Sequence, residues 1–291
     1  MSKYSSNYLN FIDIACEVSR ILPNYSSKYS KQVFTQRQLL TLYLLKQKSK
    51  LSYDEFVDDF STRDSAIADL CLKKIPRSST LKMFAKRLNP NMLEQAIANC
   101  INLTTKRNLK LAIDSTGFQL EDGSYSYLKR LGLSTKKRKN IKLSGCADTD
   151  KHLFTAVKVR KGSRHDIKDY KPLIIKTKSR LNKKIKESVG DKAYDSEDLH
   201  EFAEENGFEH IAPLKEKTKQ YYRIHGRHRK KLFKKFPKKR YHRRSIIENM
   251  WFCVKKICGK VIFAKKWLMQ KKEMLAKVLT YNIQRLVKLR I

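Results

Sequence analysis

The chain has 291 residues, with 65 Lys and Arg against 28 Asp and Glu, a formal charge of +37 on a sequence that is 41% hydrophobic. That surplus excludes an ordinary cytosolic enzyme and points to a polyanionic partner, nucleic acid ahead of an anionic membrane surface. The apolar fraction excludes wholesale disorder and suffices for the cores of one large or two modest domains. Residues 1–4 show no basic-then-apolar leader, and no run approaches about 18 apolar residues, so a cytoplasmic, DNA-associated protein without a membrane segment is expected. Six scattered cysteines, Cys16, Cys71, Cys100, Cys146, Cys253 and Cys258, read as reduced core residues rather than a disulfide framework or a zinc site.

Residues 1–106 carry a net charge of +7 and residues 107–291 a net charge of +30, and the pattern of elements changes at the same place. The first part is helical. Leu39, Leu40, Tyr43 and Leu44 fall at helical spacing within 34–45, Ser52 caps a short helix to Phe60, and serines after Pro76 open another over 81–88 that Asn89 and Pro90 end. This part has two readings: a helix-turn-helix DNA reader carrying Lys82, Lys86 and Arg87, or a helical packing unit with a solvated basic face.

From residue 109 the period is that of strands. A short strand over 109–113 stops at the turn-type cluster Asp114, Ser115, Thr116, Gly117. A hairpin follows, 141–147 and 153–160 about Asp148, Thr149 and Asp150. Then come a helix over 167–184, a strand over 185–190 that delivers Asp191, a helix from Ser196 to Glu205, a fifth strand over 208–212, and further helices. This order predicts an α/β domain at 107–291, a mixed sheet flanked by helices, preceded by an all-α N-terminal domain at 1–106.

Asp114 and Asp191 end two strands, where side chains converge at a sheet edge, and paired carboxylates there suit hard divalent cations. A turn former is the alternative for each. Residues 241–255 contain no Gly or Pro and read as one helix. At about 100° per residue, Tyr241, Arg244, Glu248 and Lys255 share a narrow face, although Arg244 and Glu248 also fit an ordinary surface pair. Trp251 falls on another face and reads as core. His165 and Asp166 fit either an approach to the site or a helix start.

Tyr, two residues, Arg, three residues, Glu, six residues, Lys resembles the signature helix of the insertion-sequence DDE transposases. The segments around Asp114 and Asp191 resemble that family's first and second aspartate motifs, in the same order. The likeness covers 109–260 closely and 261–291 more loosely. It implies a ribonuclease-H-like catalytic domain, short because only 57 residues separate Asp191 from Glu248. It further implies that Asp114, Asp191 and Glu248 are catalytic and ligate two magnesium or manganese ions, with Asp195 as the rival of Asp191. Tyr241, Arg244 and Lys255 would touch DNA. The implied activity is cleavage and transfer of DNA strands at terminal inverted repeats, by a homodimer on DNA. A nuclease that cuts without joining, or an inactive DNA-binding protein, are the alternatives.

Fifteen of the 30 residues from Lys215 to Arg244 are Lys or Arg, interleaved with Tyr221, Tyr222, Phe233 and Phe236. Phosphate contacts from Arg227, Arg229, Lys230 and Lys231, with aromatic stacking beside them, are the expected use. A second basic cluster, Lys129, Arg130, Lys136, Lys137, Arg138 and Lys139, lies between the first two strands.

Overall fold

The computed structural model of the protein describes residues 3–104, 108–121, 130, 140–161, 165–215 and 220–290. Its helices begin with α1 (Lys3–Val18), α2 (Gln36–Ser49), α3 (Tyr53–Ser61), α4 (Asp64–Asp69), α5 (Ser78–Arg87) and α6 (Pro90–Asn102). Next come β1 (Asn108–Leu120), β2 (Asn140–Asp148), β3 (Leu153–Lys161), α7 (Ile167–Arg180), β4 (Lys184–Val189), α8 (Glu197–Glu205) and β5 (Glu209–Ile211). The last are α9 (Arg227–Lys234), α10 (Lys238–Tyr241), α11 (Arg244–Cys258) and α12 (Trp267–Arg290). Two compact units result, Met1–Cys100 with Val254–Ile291, and Ile101–Cys253.

In the first unit the helix starts are set by side chains. Thr35 accepts from the Gln38 N–H while Gln38 reaches back to the Thr35 N–H, and Ser52 and Glu55 do the same for α3, which satisfies two otherwise orphaned donors at each start. Pro90, expected only to stop a helix, also opens α6, because a proline at the first helical position forgoes an N–H that would have no partner. The apolar stripe of α12, with Leu275, Val278, Leu279 and Leu286 buried, packs against α1, α2 and α5. Sequence order alone places this helix in the α/β domain at 107–291; its stripe is instead covered by the N-terminal helices. Two of its lysines are buried as well. Lys272 Nζ donates to the Ala85 and Lys86 carbonyls at the end of α5 (3.2 and 2.7 Å), and Lys277 Nζ to those of Cys258 and Val261 (2.6 and 3.0 Å). Lys272 thereby answers carbonyls that the end of α5 leaves open, and Lys277 that of Cys258 at the end of α11.

The five strands of the second unit run in the order β3-β2-β1-β4-β5. β1 is antiparallel to β2 and β2 to β3, whereas β1–β4 and β4–β5 are parallel. With α7 against β2 and β3 and α8 against β5, this is the ribonuclease-H-like mixed sheet that the resemblance implied. One element differs from expectation. Asp114, Ser115, Thr116 and Gly117 do not form a turn but continue β1, paired with Gly145, Ser144, Leu143 and Lys142. Ladder pairing along the whole of β2 satisfies their backbone and outweighs their local turn preference.

Opposed residues of antiparallel strands point to the same face, which sorts the sheet. Ser115 and Ser144 look toward α7, where Ser144 Oγ donates to Asp169 Oδ2 (2.6 Å). Asp114 and Gly145 look the other way, toward α11. Trp251 of that helix stacks on Phe154 with ring centroids 4.3 Å apart and is buried, as expected. A Cβ on Gly145 would come within 2.6 Å of the Trp251 ring, so the missing side chain is what lets α11 close on the sheet. Cys100, Cys146 and Cys258 are buried thiols as expected, but Cys71 is exposed. No helix among the described residues is long and apolar enough to cross a membrane.

Candidate active site

Register brings the two aspartates together. Ala112 of β1 pairs with Val189 of β4 in parallel, so two residues further along each chain stand Asp114, still within β1, and Asp191, just past the end of β4. Asp191 Oδ1 accepts from the Ala193 N–H (2.8 Å), holding a single turn of 3-10 helix at Lys192–Tyr194. Glu248 arrives from α11, on the face of the sheet that Asp114 occupies. The Asp114 carboxyl is pushed up to about 6, chiefly by burial and further by the charges of Asp191 and Glu248, against the Ser115 N–H and Arg244, which pull it down. Three carboxylates from three separated segments therefore feel one another across a single site.

Arg244 Nη1 donates to Glu248 Oε1 at 2.5 Å, one helical turn apart, with the Glu248 side chain 48% exposed. Among the described residues, no group of three or more His, Cys, Asp or Glu side chains is gathered tightly enough to hold a metal ion. The donor set nonetheless suits one: all three candidates are hard oxygen ligands, and the charges of Asp191 and Glu248, which add to the burial that raises the Asp114 carboxyl, are a repulsion that a cation would relieve.

Asp195, the rival of Asp191, is otherwise occupied. Its side chain is wholly buried, Arg229 grips both oxygens (2.9 and 3.0 Å), and the Lys215 N–H donates to Oδ2 (2.8 Å). Arg229, expected on DNA, is thus turned inward. Arg227 pairs with Glu204 at the surface, Lys230 lies over the Tyr221 ring, and Lys231 is exposed. Arg130 is exposed; Lys129, Lys136, Lys137, Arg138 and Lys139 lie outside the described residues.

The expected single helix over 241–255 is broken. Tyr241 ends α10, its N–H on the Pro237 carbonyl and its ring against Phe236, and α11 begins only at Arg244. Two anchors bend the chain here. Arg240 binds Glu187 and Glu209 (2.7 Å each), while Arg243 pairs with Asp150. Arg244, Glu248 and Lys255 therefore share α11, while Tyr241 stands at the end of α10, close enough for its charge to act on Arg244; Lys255 lies on the stretch of α11 that belongs to the first unit.

Behind the site, Asp166 stands at the start of α7 and accepts from Ser115 Oγ (2.7 Å), Arg160 (2.5 Å) and Lys142. Asp169 is buried and held by Ser144, Lys158 and Arg160. These ties fix the β1 backbone next to Asp114. Of the residues that build the site, Gly145 and Asp169 went unnoticed in the sequence; a glycine amid the apolar residues of a strand was the available signal.

Residues 106–283 match the family described as the transposase DDE domain. The chain belongs to that family. It is accordingly an enzyme of DNA cleavage and transfer. Among solved structures, this transposase is similar to a piggyBac transposase synaptic complex with hairpin DNA, at 9% identity and a TM-score of 0.49 over 99% of this chain and 75% of that one. It is also similar to the Mos1 strand transfer complex, at 10% identity and a TM-score of 0.32 over 91% and 78%. No curated protein matches the chain.

Proposed function

We propose that this transposase belongs to an insertion sequence, binds that element's terminal inverted repeats, and cuts and joins DNA strands with Asp114, Asp191 and Glu248 as ligands of two magnesium or manganese ions. The observation that carries the reading is the parallel register of Ala112 and Val189, which brings Asp114 beside Asp191, with Glu248 of α11 close enough for its charge to add to the burial that raises the Asp114 carboxyl. When bound, such ions supply charge stabilisation for the attacking and leaving oxygens of an in-line displacement. The chain contributes position. β1 and β4 hold the aspartates side by side, the Asp166 and Asp169 ties stiffen the strand beneath them, and α11 delivers Glu248 with Arg244 as its counter-ion in the absence of DNA.

Arg244 has a second partner in this reading. When Glu248 turns to a cation, the guanidinium is released to fork onto a phosphate of the element end. Lys255, further along α11, supplies a point charge to the same backbone, and the basic segment about Arg227, Lys230 and Lys231, with Arg130, adds sequence-independent affinity. The helical N-terminal unit, with Lys86 and Arg87 exposed on α5, is a further DNA-binding surface. Joining two ends favours a homodimer on DNA.

The test is incubation of the full chain with DNA carrying the two flanks of its own gene, with magnesium, scoring nicks, breaks and joined products together. Asp114→Asn, Asp191→Asn and Glu248→Gln serve as controls. Cleavage and joining that vanish in all three variants while DNA binding persists support the proposal. Cleavage without joining leaves a nuclease, and cleavage that survives the variants removes the triad.

A further inference from the structure

Within the first unit, the segment 24–34 ahead of α2 stands against α5 and walls an open cleft of about 550 Å³. Gln36, the first residue of α2, closes the base of that segment: its N–H donates to the Asn24 carbonyl (2.8 Å) and its side-chain amide to those of Pro23 and Tyr25 (3.2 and 3.1 Å). Buried Phe84 lies at the floor, and the walls carry Lys31, Lys74 and Arg87 but no carboxylate. The clefts beside α8 and α1, by contrast, include Glu204 and Glu209, or Asp64. Elsewhere in the unit Lys82 pairs with Asp54 and Arg63 with Asp59, whereas among the described residues Lys31, Lys74 and Arg87 have no ion pair.

α5 buries Leu81, Phe84 and Ala85 and turns Ser79, Lys82, Met83, Lys86 and Arg87 to solvent, a stripe at helical spacing without an acid. Met83 is 48% exposed in the middle of it, and Tyr29 (86%) and Val33 (42%) stand exposed on the facing segment, the Tyr29 ring under Lys28 Nζ at 5.0 Å. A surface that served phosphates alone would gain nothing from apolar side chains held in water, because phosphate contacts carry no sequence information and base edges do. Unpaired cations on a chain of net charge +37 repel a second copy of it and favour a polyanion. A helix of ten residues fits the major groove, where thymine presents a methyl group. Eight residues, 70–77, separate α4 from α5, more than the three or four of a helix-turn-helix, so α5 has the segment 24–34 rather than a preceding helix as its companion.

We propose that this face is the sequence reader of the N-terminal unit: α5 lies in the major groove of the terminal repeat, with Met83 and Tyr29 against base edges and Lys31, Lys74 and Arg87 on the flanking phosphates. The inference rests on the reading of the chain as a binder of its element's ends. The two sets of side chains have separable effects. Loss of a cation weakens binding to any duplex and shallows its dependence on salt, whereas loss of a base contact weakens binding to the right sequence alone.

The experiment is fluorescence anisotropy of the full chain, without divalent cation, on two labelled duplexes of equal length: one flank of its own gene and a scramble of the same composition. Affinities are read over a range of salt, with thermal melting alongside. The variant carrying both Tyr29→Ala and Met83→Ala should lose about tenfold in affinity for the flank and less than about twofold for the scramble, and should melt as wild type does. Lys31→Ala, Lys74→Ala and Arg87→Ala should weaken both duplexes alike and each shallow the plot of log affinity against log salt by about 0.9. Lys168→Ala, at an exposed lysine of α7, should do neither. A double variant that keeps the preference for the flank, or loses it together with melting temperature, overturns this inference alone. So does a salt slope that moves as much in Lys168→Ala as in Lys74→Ala. Wild-type protein that binds the two duplexes equally overturns the reading of the chain as a binder of its element's ends, and this inference with it.

Discussion

On the α7 face of the sheet, Asp166 and Asp169 draw on two serines, two lysines and an arginine; on the α11 side, Asp114, Asp191 and Glu248 have the Arg244 guanidinium, and it sits on Glu248. Adjacent residues of β1, Asp114 and Ser115, face the two groups, in a chain holding 65 Lys and Arg, so cations are not in short supply. One set is neutralised and serves as scaffold. The other, among the described residues, is under-neutralised and mutually repelling, with Glu248 half exposed and the Asp114 carboxyl pushed up to about 6, chiefly by burial. The difference separates carboxylates that hold the fold from carboxylates that await a positive ligand.

Substitution should separate the two groups most sharply at the under-neutralised set. Asp114→Asn, Asp191→Asn or Glu248→Gln should each lower strand cleavage by about a thousandfold or more, with DNA binding kept and the melting temperature of Asp114→Asn equal to or above that of wild type. A melting temperature that collapses in Asp114→Asn would move it to the scaffold group. Asp195→Asn should do the reverse. Leaving Arg229 buried without its partner should cost about 3–5 kcal/mol of stability by denaturant titration, while cleavage per folded molecule stays near wild type.

Gly145→Ala tests how tightly the α11 side is built. A Cβ 2.6 Å from the Trp251 ring forces the helix outward, and a loss of about 1–3 kcal/mol is expected, together with weaker cleavage because Glu248 rides on the same helix. Full activity in a stable Gly145→Ala protein would show that α11 tolerates displacement.

The last effect is read only as a dependence on pH. His210 is fully buried between Ser188 and the Tyr194 carbonyl, and burial holds its pKa down at about 3. The unfolded chain, with its histidine near 6.5, binds the proton first as pH falls, so this group's contribution to stability is lost between about 6.5 and 3, by up to about 1.4 kcal/mol per pH unit. Asp114, raised from 3.8 to about 6, acts in the opposite sense. The measurement is therefore the difference in melting temperature against pH between wild type and His210→Gln. Parallel curves would remove His210 from the account.

Much of this was legible in the sequence, for local reasons. The strands and helices of 107–212 follow from period and punctuation, and the three carboxylates sit in short motifs. What escaped depended on distant partners. The segment 114–117 has turn composition but is straightened by β2. Tyr241 leaves the helix because Arg240 and Arg243 are tethered to residues far back in the chain. Arg229 points inward because Asp195 lies buried beneath it. Gly145 matters only because Trp251 comes to rest on it. The missing information in each case is which side chain a given cation or ring will meet once the sheet has formed.

Lys272 and Lys277 are 2% and 1% exposed, each amine lodged against backbone carbonyls. In a chain crowded with lysines, these two are shielded from any reagent in the solvent while the helical unit is closed. Brief exposure to an amine-acylating probe, followed by peptide mass mapping, would therefore label the surface lysines at once and these two only when the unit opens, giving the protein a built-in clock for its own local unfolding.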